Sequence, residues 1–337
     1  MSGLLVRECG PMTSLQDRGR YGYQNVGVSP SGAMDGRALA LANALVGNAL
    51  DVAAIEFMNL GGAFAAIGGD ARIAVAGASS LAVDGVPVPP NTAVLLRDGQ
   101  VAGVSHTRGG AFAYLAVADG FDLPPQLGSR SLHPRSKLGG LNGAPLRAGD
   151  RLPLRGDPGG EPLHYPGEIP SESGPIRVML GPQDDYFTPE GLRTFLEEEF
   201  TISPLADRMG YQLAGPAIEH ARGFNIVSDG IVTGHVQVPG SGQPIVLMRD
   251  RQTTGGYPKI ATVISADLDR FAGMQPGAVL RFRAVGRDEA LAAARALADW
   301  RDSLPSALVP VRFEPTTERL MGLNLIDGMV DARAAHL

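Results

Sequence analysis

The sequence predicts a mainly β fold in two units with a few short helices, and three observations carry that prediction. The 45 glycines and 26 prolines call for many chain reversals, and short apolar runs recur between them. Turn pairs of the Asp-Gly type stand at 84–85, 98–99 and 119–120, spaced by runs of strand length. At 337 residues the chain is too long for one ordinary core, so two domains or one double-barrelled unit are expected.

Residues 4–7 read as a short edge strand. The polar, glycine-rich stretch 13–35 holds Gln16, Asp17, Arg18, Arg20, Ser31 and Asp35, and a loop of that length is uncommon unless functional. Asp35 reads as the N-cap of a helix over 36–46, with Leu39, Ala42, Leu45 and Val46 on one face and Gly47-Asn48 as its stop. Residues 51–154 read as all β, with runs at 53–57, 71–76, 93–96 and 111–117. Glu56 lies inside one of them and, if buried, needs a partner; a structural ion pair is the ordinary explanation. A second polar loop, 127–137, carries Arg130, His133, Arg135 and Lys137, suited to an anion, an interface between chains or plain solvation. Residues 146–154 look like a closing hairpin.

Five prolines and five glycines between 155 and 175 mark a linker. This divides the chain into an N-terminal β domain (1–155), the linker (156–175), a second β domain (176–285) and a helix with a C-terminal tail (286–337). In the second part, 176–181 is a strand. Thr188-Pro189-Glu190 starts a helix whose apolar face is Leu192, Phe195, Leu196 and Phe200. A further helix over 288–300 places Leu291, Ala294, Leu297 and Trp300 on one side, and the apolar patch 320–330 is expected to pack on the body or a partner. Asp-Arg followed by Gly-Tyr-Gln occurs in both halves, at 17–24 and 207–212, a faint sign of duplication.

The most informative stretch is 235–264, HVQVPGSGQPIVLMRDRQTTGGYPKIATVI. Apolar runs at 244–248 and 260–264 read as buried strands. The connection between them is charged, hydroxylated and hinged at Gly255-Gly256. It is either a solvated hairpin loop or the wall of a site, since loops on rigid strands often carry function.

The totals narrow the class of function. With 29 basic and 35 acidic residues, a net charge of −6, there is no basic footprint for nucleic acid. The single Cys9 rules out an internal disulfide framework and fits a reducing cytoplasm, the expected location. The amino terminus does not read as a signal peptide, and no run reaches the length of a membrane span. The histidines lack metal-ligand spacing, and neither a phosphate-binding P-loop nor a Gly-x-Ser-x-Gly elbow occurs. The chemistry left is a polar site, without a metal and without a standard nucleophile.

Several blocks carry a resemblance: GPMTSLQDRGRYGYQNVGVSPSGAMD, LANALVGN, LGSRS, ADRMGYQLAG, SDGIVTGHVQVPGSGQPIVLMRDRQTTGGYPKIATV and DLDRFAGMQPG. On these the chain resembles the allophanate hydrolase subunit 2, or biotin-dependent carboxyltransferase, family, from Gly10 to about Phe282. The resemblance implies two cyclophilin-like β-barrels and a partner of the subunit 1 (KipI-like) type, with the active site where the two meet. Two chemistries belong to the family. One is ATP-dependent opening of 5-oxoproline to glutamate, with the A and B subunits of 5-oxoprolinase as partners. The other is transfer of a carboxyl group to urea or a related amide from carboxybiotin on a separate carrier. A third role is that of KipA, which antagonises a histidine-kinase inhibitor. This sequence carries no biotin carrier, biotin carboxylase or fused subunit 1 domain, so the 5-oxoprolinase C subunit is the expected role.

Both chemistries act on an amide, which implies a set of candidates. Lys259, Arg208 and the Gly255-Gly256 amides are candidates to stabilise charge on the amide oxygen. Asp250 or Asp207 is the candidate base. Gln237, Gln243, Thr253, Thr254 and Tyr257 are candidates to orient substrate, and Asp17 and Arg20 to face the same cleft from the first half. For Arg208 a strut paired to Asp207 or Asp229 is an equally good expectation.

Overall fold

The computed structural model describes residues 2–156 and 159–311. In the first unit two antiparallel sheets face each other. One runs, in spatial order, Arg151–Pro153, Gly3–Cys9, Gly62–Ile67, Val101–Val104, Leu81–Val83, Val86–Pro87. The other runs Ser14–Gln16, Ala54–Met58, Phe112–Val117, Ala71–Gly77, Ala93–Leu96. Alternation along each strand divides the side chains. Ile55, Phe57, Ile73, Ala113 and Leu115 fill the space between the sheets with Leu4, Val6 and Phe64. The intervening Ala54, Ala74, Ala76, Tyr114 and Ala116 face outward onto a helix.

That helix, α1 (Gly36–Leu45), joins the halves. Asp35 caps it as expected, its Oδ1 accepting from the Arg37 and Ala38 amides at 3.0 and 3.1 Å, and Gly47 ends it with φ 79°. Its alanines let it lie close to the sheet, and it shares one continuous core with the second unit. The second unit is an eight-stranded sheet in the order Val279–Leu280, Phe200–Ala206, Gly210–Ala214, Ile245–Leu247, His235–Gln237, Lys259–Val263, Ile176–Leu180, Phe282–Ala284. Its two edge strands are separated in sequence by Arg281 alone, so one bent segment holds both edges and closes the barrel. Phe195, from α2 (Pro189–Glu197), stacks on Phe282 at 4.6 Å between ring centres inside it. α3 (Ser265–Ala272) and α4 (Arg287–Ala307) pack against each other, and α4 also touches α1.

The mainly β expectation with a few helices holds, and several local expectations are corrected. The strand expected at the edge, 4–7, lies inside its sheet, because Arg151–Pro153 pairs along its outer side. Residues 146–154 therefore do not form a hairpin with themselves; they turn at 147–150 and close on the amino-terminal strand. Phe200 belongs to the strand after α2 rather than to its apolar face. The two apolar runs of 235–264 are not adjacent strands, since His235–Gln237 pairs between them with both. The proline-rich segment is laid on the structure: His164 bridges Thr92, Leu163–His164 pairs with Val309–Pro310, and Tyr165 Oη accepts from Trp300 Nε1 at 3.1 Å. The apolar patch at 320–330 lies outside the described residues.

Candidate active site on the outer face of the second barrel

Strand alternation places the site. Tyr211, Val236 and Val246 point into the barrel core. Their neighbours Gly210, Gln212, Gln237, Ile245 and Leu247 point outward and line a cleft of about 510 Å³. Asp207, Leu205, Met209, Ile231, Arg251 and Gln252 complete much of its wall. Over this face lies a two-stranded ribbon, Asp229–Gly230 with Thr254–Gly255. It is pinned by Ile231 N to Thr253 O (3.1 Å) and Ile226 N to Gly256 O (2.9 Å). The charged connection is thus a clasped ribbon rather than a free loop. Gly255 has a steric reason: a Cβ there would stand 2.5 Å from Gln237 Nε2, which donates to Tyr257 O at 3.3 Å.

Lys259 pairs with Gln237 across the strands and is fully buried. It does not itself line the cleft. Its Nζ donates to Asp229 Oδ2 at 2.7 Å, its one hydrogen-bond partner among the described residues, while Asp229 stays largely exposed. His235 is buried two residues before Gln237, its Nδ1 accepting from Val232 N. Burial, with the charges of Lys259 and Arg251 nearby, pushes its imidazole down to about 4. The unfolded imidazole, near 6.5, takes up its proton first, so folding weakens as pH falls from 6.5 towards 4, by up to about 3 kcal/mol. Asp35, pushed up to about 6 by burial and by Asp269, acts in the opposite direction over the same range. The informative quantity is therefore a difference: His235→Gln loses less stability than wild type between pH 6.5 and 4, measured by denaturant unfolding, and parallel pH curves contradict this.

Of the other predicted residues, Asp207 reaches the cleft and most of the rest fall elsewhere. Arg208, 3% exposed, is neither paired to Asp207 nor to Asp229. Its Nε and Nη2 donate to Asp250 (2.8 and 3.1 Å), its Nη1 to Glu56 (2.5 Å) and its Nη2 also to Gly32 O (2.7 Å). Glu56 in turn accepts from Tyr114 Oη at 2.6 Å and Met34 N at 2.9 Å. The expected structural partner of Glu56 is thus Arg208 from the other half. Burial opposes the guanidinium charge, but Asp250 and Glu56 outweigh it and raise its pKa. Asp250 has both oxygens on Arg208, inside the seam. Asp207 lies at the cleft, its Oδ1 accepting from the Met209 and Gly210 amides. Asp17 accepts from Gly19 N in the same i+2 fashion, so the Asp-Arg echo is a repeated turn. Asp17 also gathers Ser129 Oγ, Ser131 Oγ and Arg130 N, and Arg20 Nη2 donates to Ser131 O. These two therefore lock the 127–137 loop to the glycine-rich stretch rather than line the cleft. Gln243 holds both polar groups of Gly215, away from Gln237. Thr254 and Tyr257 are exposed on the ribbon.

Arg251, Gln252 and His235 were not reached from the sequence. Arg251 was visible in the RDR triplet, but nothing local separates a residue turned to the seam, Asp250, from one turned to the cleft.

Comparison with known proteins agrees with this architecture. The carboxyltransferase domain model, subdomain A and B, matches residues 26–284. A Haemophilus influenzae protein named as the C subunit of 5-oxoprolinase is 39% identical, with 82% of this chain and 89% of the relative aligned. An Escherichia coli protein of the same name is 37% identical over 86% of this chain and 94% of the relative. The crystal structure of the K. lactis urea amidolyase superposes with a TM-score of 0.83 at 28% identity, over 94% of this chain and 20% of that one. By the family match and by these relatives, the chain belongs to the carboxyltransferase domain family, subdomains A and B.

Proposed function

We propose that this chain is the C subunit of an ATP-dependent 5-oxoprolinase. It would open the lactam of 5-oxo-L-proline to L-glutamate together with a KipI-like B subunit and an A subunit. The observation that supports it most is the alignment with relatives of that name at 37–39% identity along 89–94% of their own length. The geometry suits such a substrate. The cleft is of small-molecule size and offers the side-chain amides of Gln237 and Gln252 to a ring amide. An amide oxygen gains negative charge when the carbonyl is attacked or phosphorylated. Lys259, with one of its three ammonium donors on Asp229, lies one strand pair away as the stabilising cation, a contribution of roughly 3–4 kcal/mol for a well-placed donor. Asp207 is the better placed of the two candidate bases, since Asp250 is spent on Arg208. ATP is a substrate of the assembled complex; the part of this chain is to bind, orient and polarise the amide.

A partner has a place to dock. Leu205, Tyr21, Val26 and Val232 are exposed apolar residues near the cleft. Leu205 lines it, Val232 follows the lining Ile231, and Gln24, beside Val26, donates to Ile231 O. A partner protein seated there excludes water and strengthens every charge inside. The test is reconstitution. The chain alone is expected to release only background ADP, and with its two partners it releases ADP in proportion to 5-oxoproline. Turnover of urea in a biotin-dependent manner by the assembled set overturns the proposal.

A further inference from the structure

The Arg251 guanidinium is an unanswered charge. The residue is 2% exposed, yet its Nε and Nη1 have no hydrogen-bond partner among the described residues. No carboxylate lies within ion-pair distance of it there, whereas Arg208, buried to the same degree, is held by two. Its carbonyl, by contrast, is fixed, accepting from Ser29 Oγ across the seam. A buried cation with orphaned donors costs several kcal/mol, and such a cost persists where a ligand is to meet it. Arg251 lines the cleft beside Gln237 and Gln252. Burial and, after it, the neighbouring Arg249 push its pKa down to about 10, so the guanidinium is desolvated as well as unpaired.

We infer that Arg251 is the carboxylate anchor of the cleft, which selects amides that carry an acid group over neutral amides. The inference rests on the 5-oxoprolinase reading for its natural ligand and extends it by naming the residue that sets specificity. A guanidinium presents a planar fork that matches a carboxylate with two parallel bonds. With 5-oxoproline the ring amide then faces the Gln237 side and the carboxylate faces Arg251, which fixes the direction of the ring. Urea has no acid group and leaves the guanidinium desolvated and unpaired, and a site with an unmet buried donor rejects such a ligand strongly. Arg251 is thus a specificity residue rather than a group that moves a proton.

The test uses the assembled complex and two ligands, 5-oxoproline and 2-pyrrolidinone, the same lactam without the carboxylate. Arg251→Met is expected to raise KM for 5-oxoproline roughly 10- to 100-fold, with a smaller fall in kcat, and to leave the affinity for 2-pyrrolidinone unchanged. Arg251→Lys, which keeps the charge and loses the fork, falls between and guards against a folding defect in the first variant. Equal losses for both ligands, or no change in KM, overturn the inference. The two readings fail separately. Turnover of urea in place of 5-oxoproline overturns the functional proposal. Calorimetric binding of 5-oxoproline to the complex without turnover, if identical in wild type and Arg251→Met, overturns the anchor.

Discussion

Arg208→Met is expected to lower the unfolding free energy by about 3–5 kcal/mol, a large effect for a single side chain. The substitution leaves Glu56 and Asp250 as buried carboxylates without their shared cation, and it removes the donor to Gly32 O. The penalty is mostly that of the two abandoned charges rather than the net strength of the ion pairs, since a well-packed apolar trio of similar volume often replaces such a network at little cost. A double substitution, Arg208→Met with Glu56→Gln, is therefore expected to recover part of the loss. Because Glu56 belongs to the first unit and Arg208 to the second, the same change also loosens the seam, and the two units are expected to melt separately in a thermal scan. A loss below about 1 kcal/mol, in the range of an ordinary surface pair, contradicts the strut.

Lys259→Met is expected to lower kcat of the assembled complex by about 100- to 1,000-fold while leaving the fold in place. The side chain is fully buried, so an apolar chain of similar length fills its space. Its partner, Asp229, is exposed and returns to solvent, in contrast to the carboxylates stranded in the Arg208 variant. Both variants remove a buried cation. One acts on stability through enclosed partners, and the other on turnover. A folded Lys259→Met complex with full turnover removes Lys259 from the chemistry.

Local signals were legible in the sequence. The Asp35 cap and the Gly47 stop each act within a few residues, where hydrogen-bonding chemistry and backbone conformation decide the outcome. The oddity of Glu56 was legible too, but its partner was not, since Arg208 lies 152 residues further on and no periodicity links them. Strand order was hidden for a related reason. The runs around 245 and 260 each read correctly as strands, yet the pairing of His235–Gln237 between them depends on barrel closure. The site was half legible: Gln237 and Asp207 line the cleft and Lys259 is the cross-strand neighbour of Gln237, whereas Asp17, Arg20 and Gln243 serve loops and turns. Polar residues in a glycine-rich segment look alike in sequence whether they hold a ligand or the segment itself.

The outer-face cleft under the Asp229–Gly255 ribbon is the proposed binding place of the amide. The most direct measurement is a crystal structure of the assembled complex with 5-oxoproline. The lactam is expected within hydrogen-bond distance of Gln237, with its carboxylate on Arg251 and its carbonyl oxygen turned towards Lys259. Density for 5-oxoproline at a place that touches none of these three residues contradicts it.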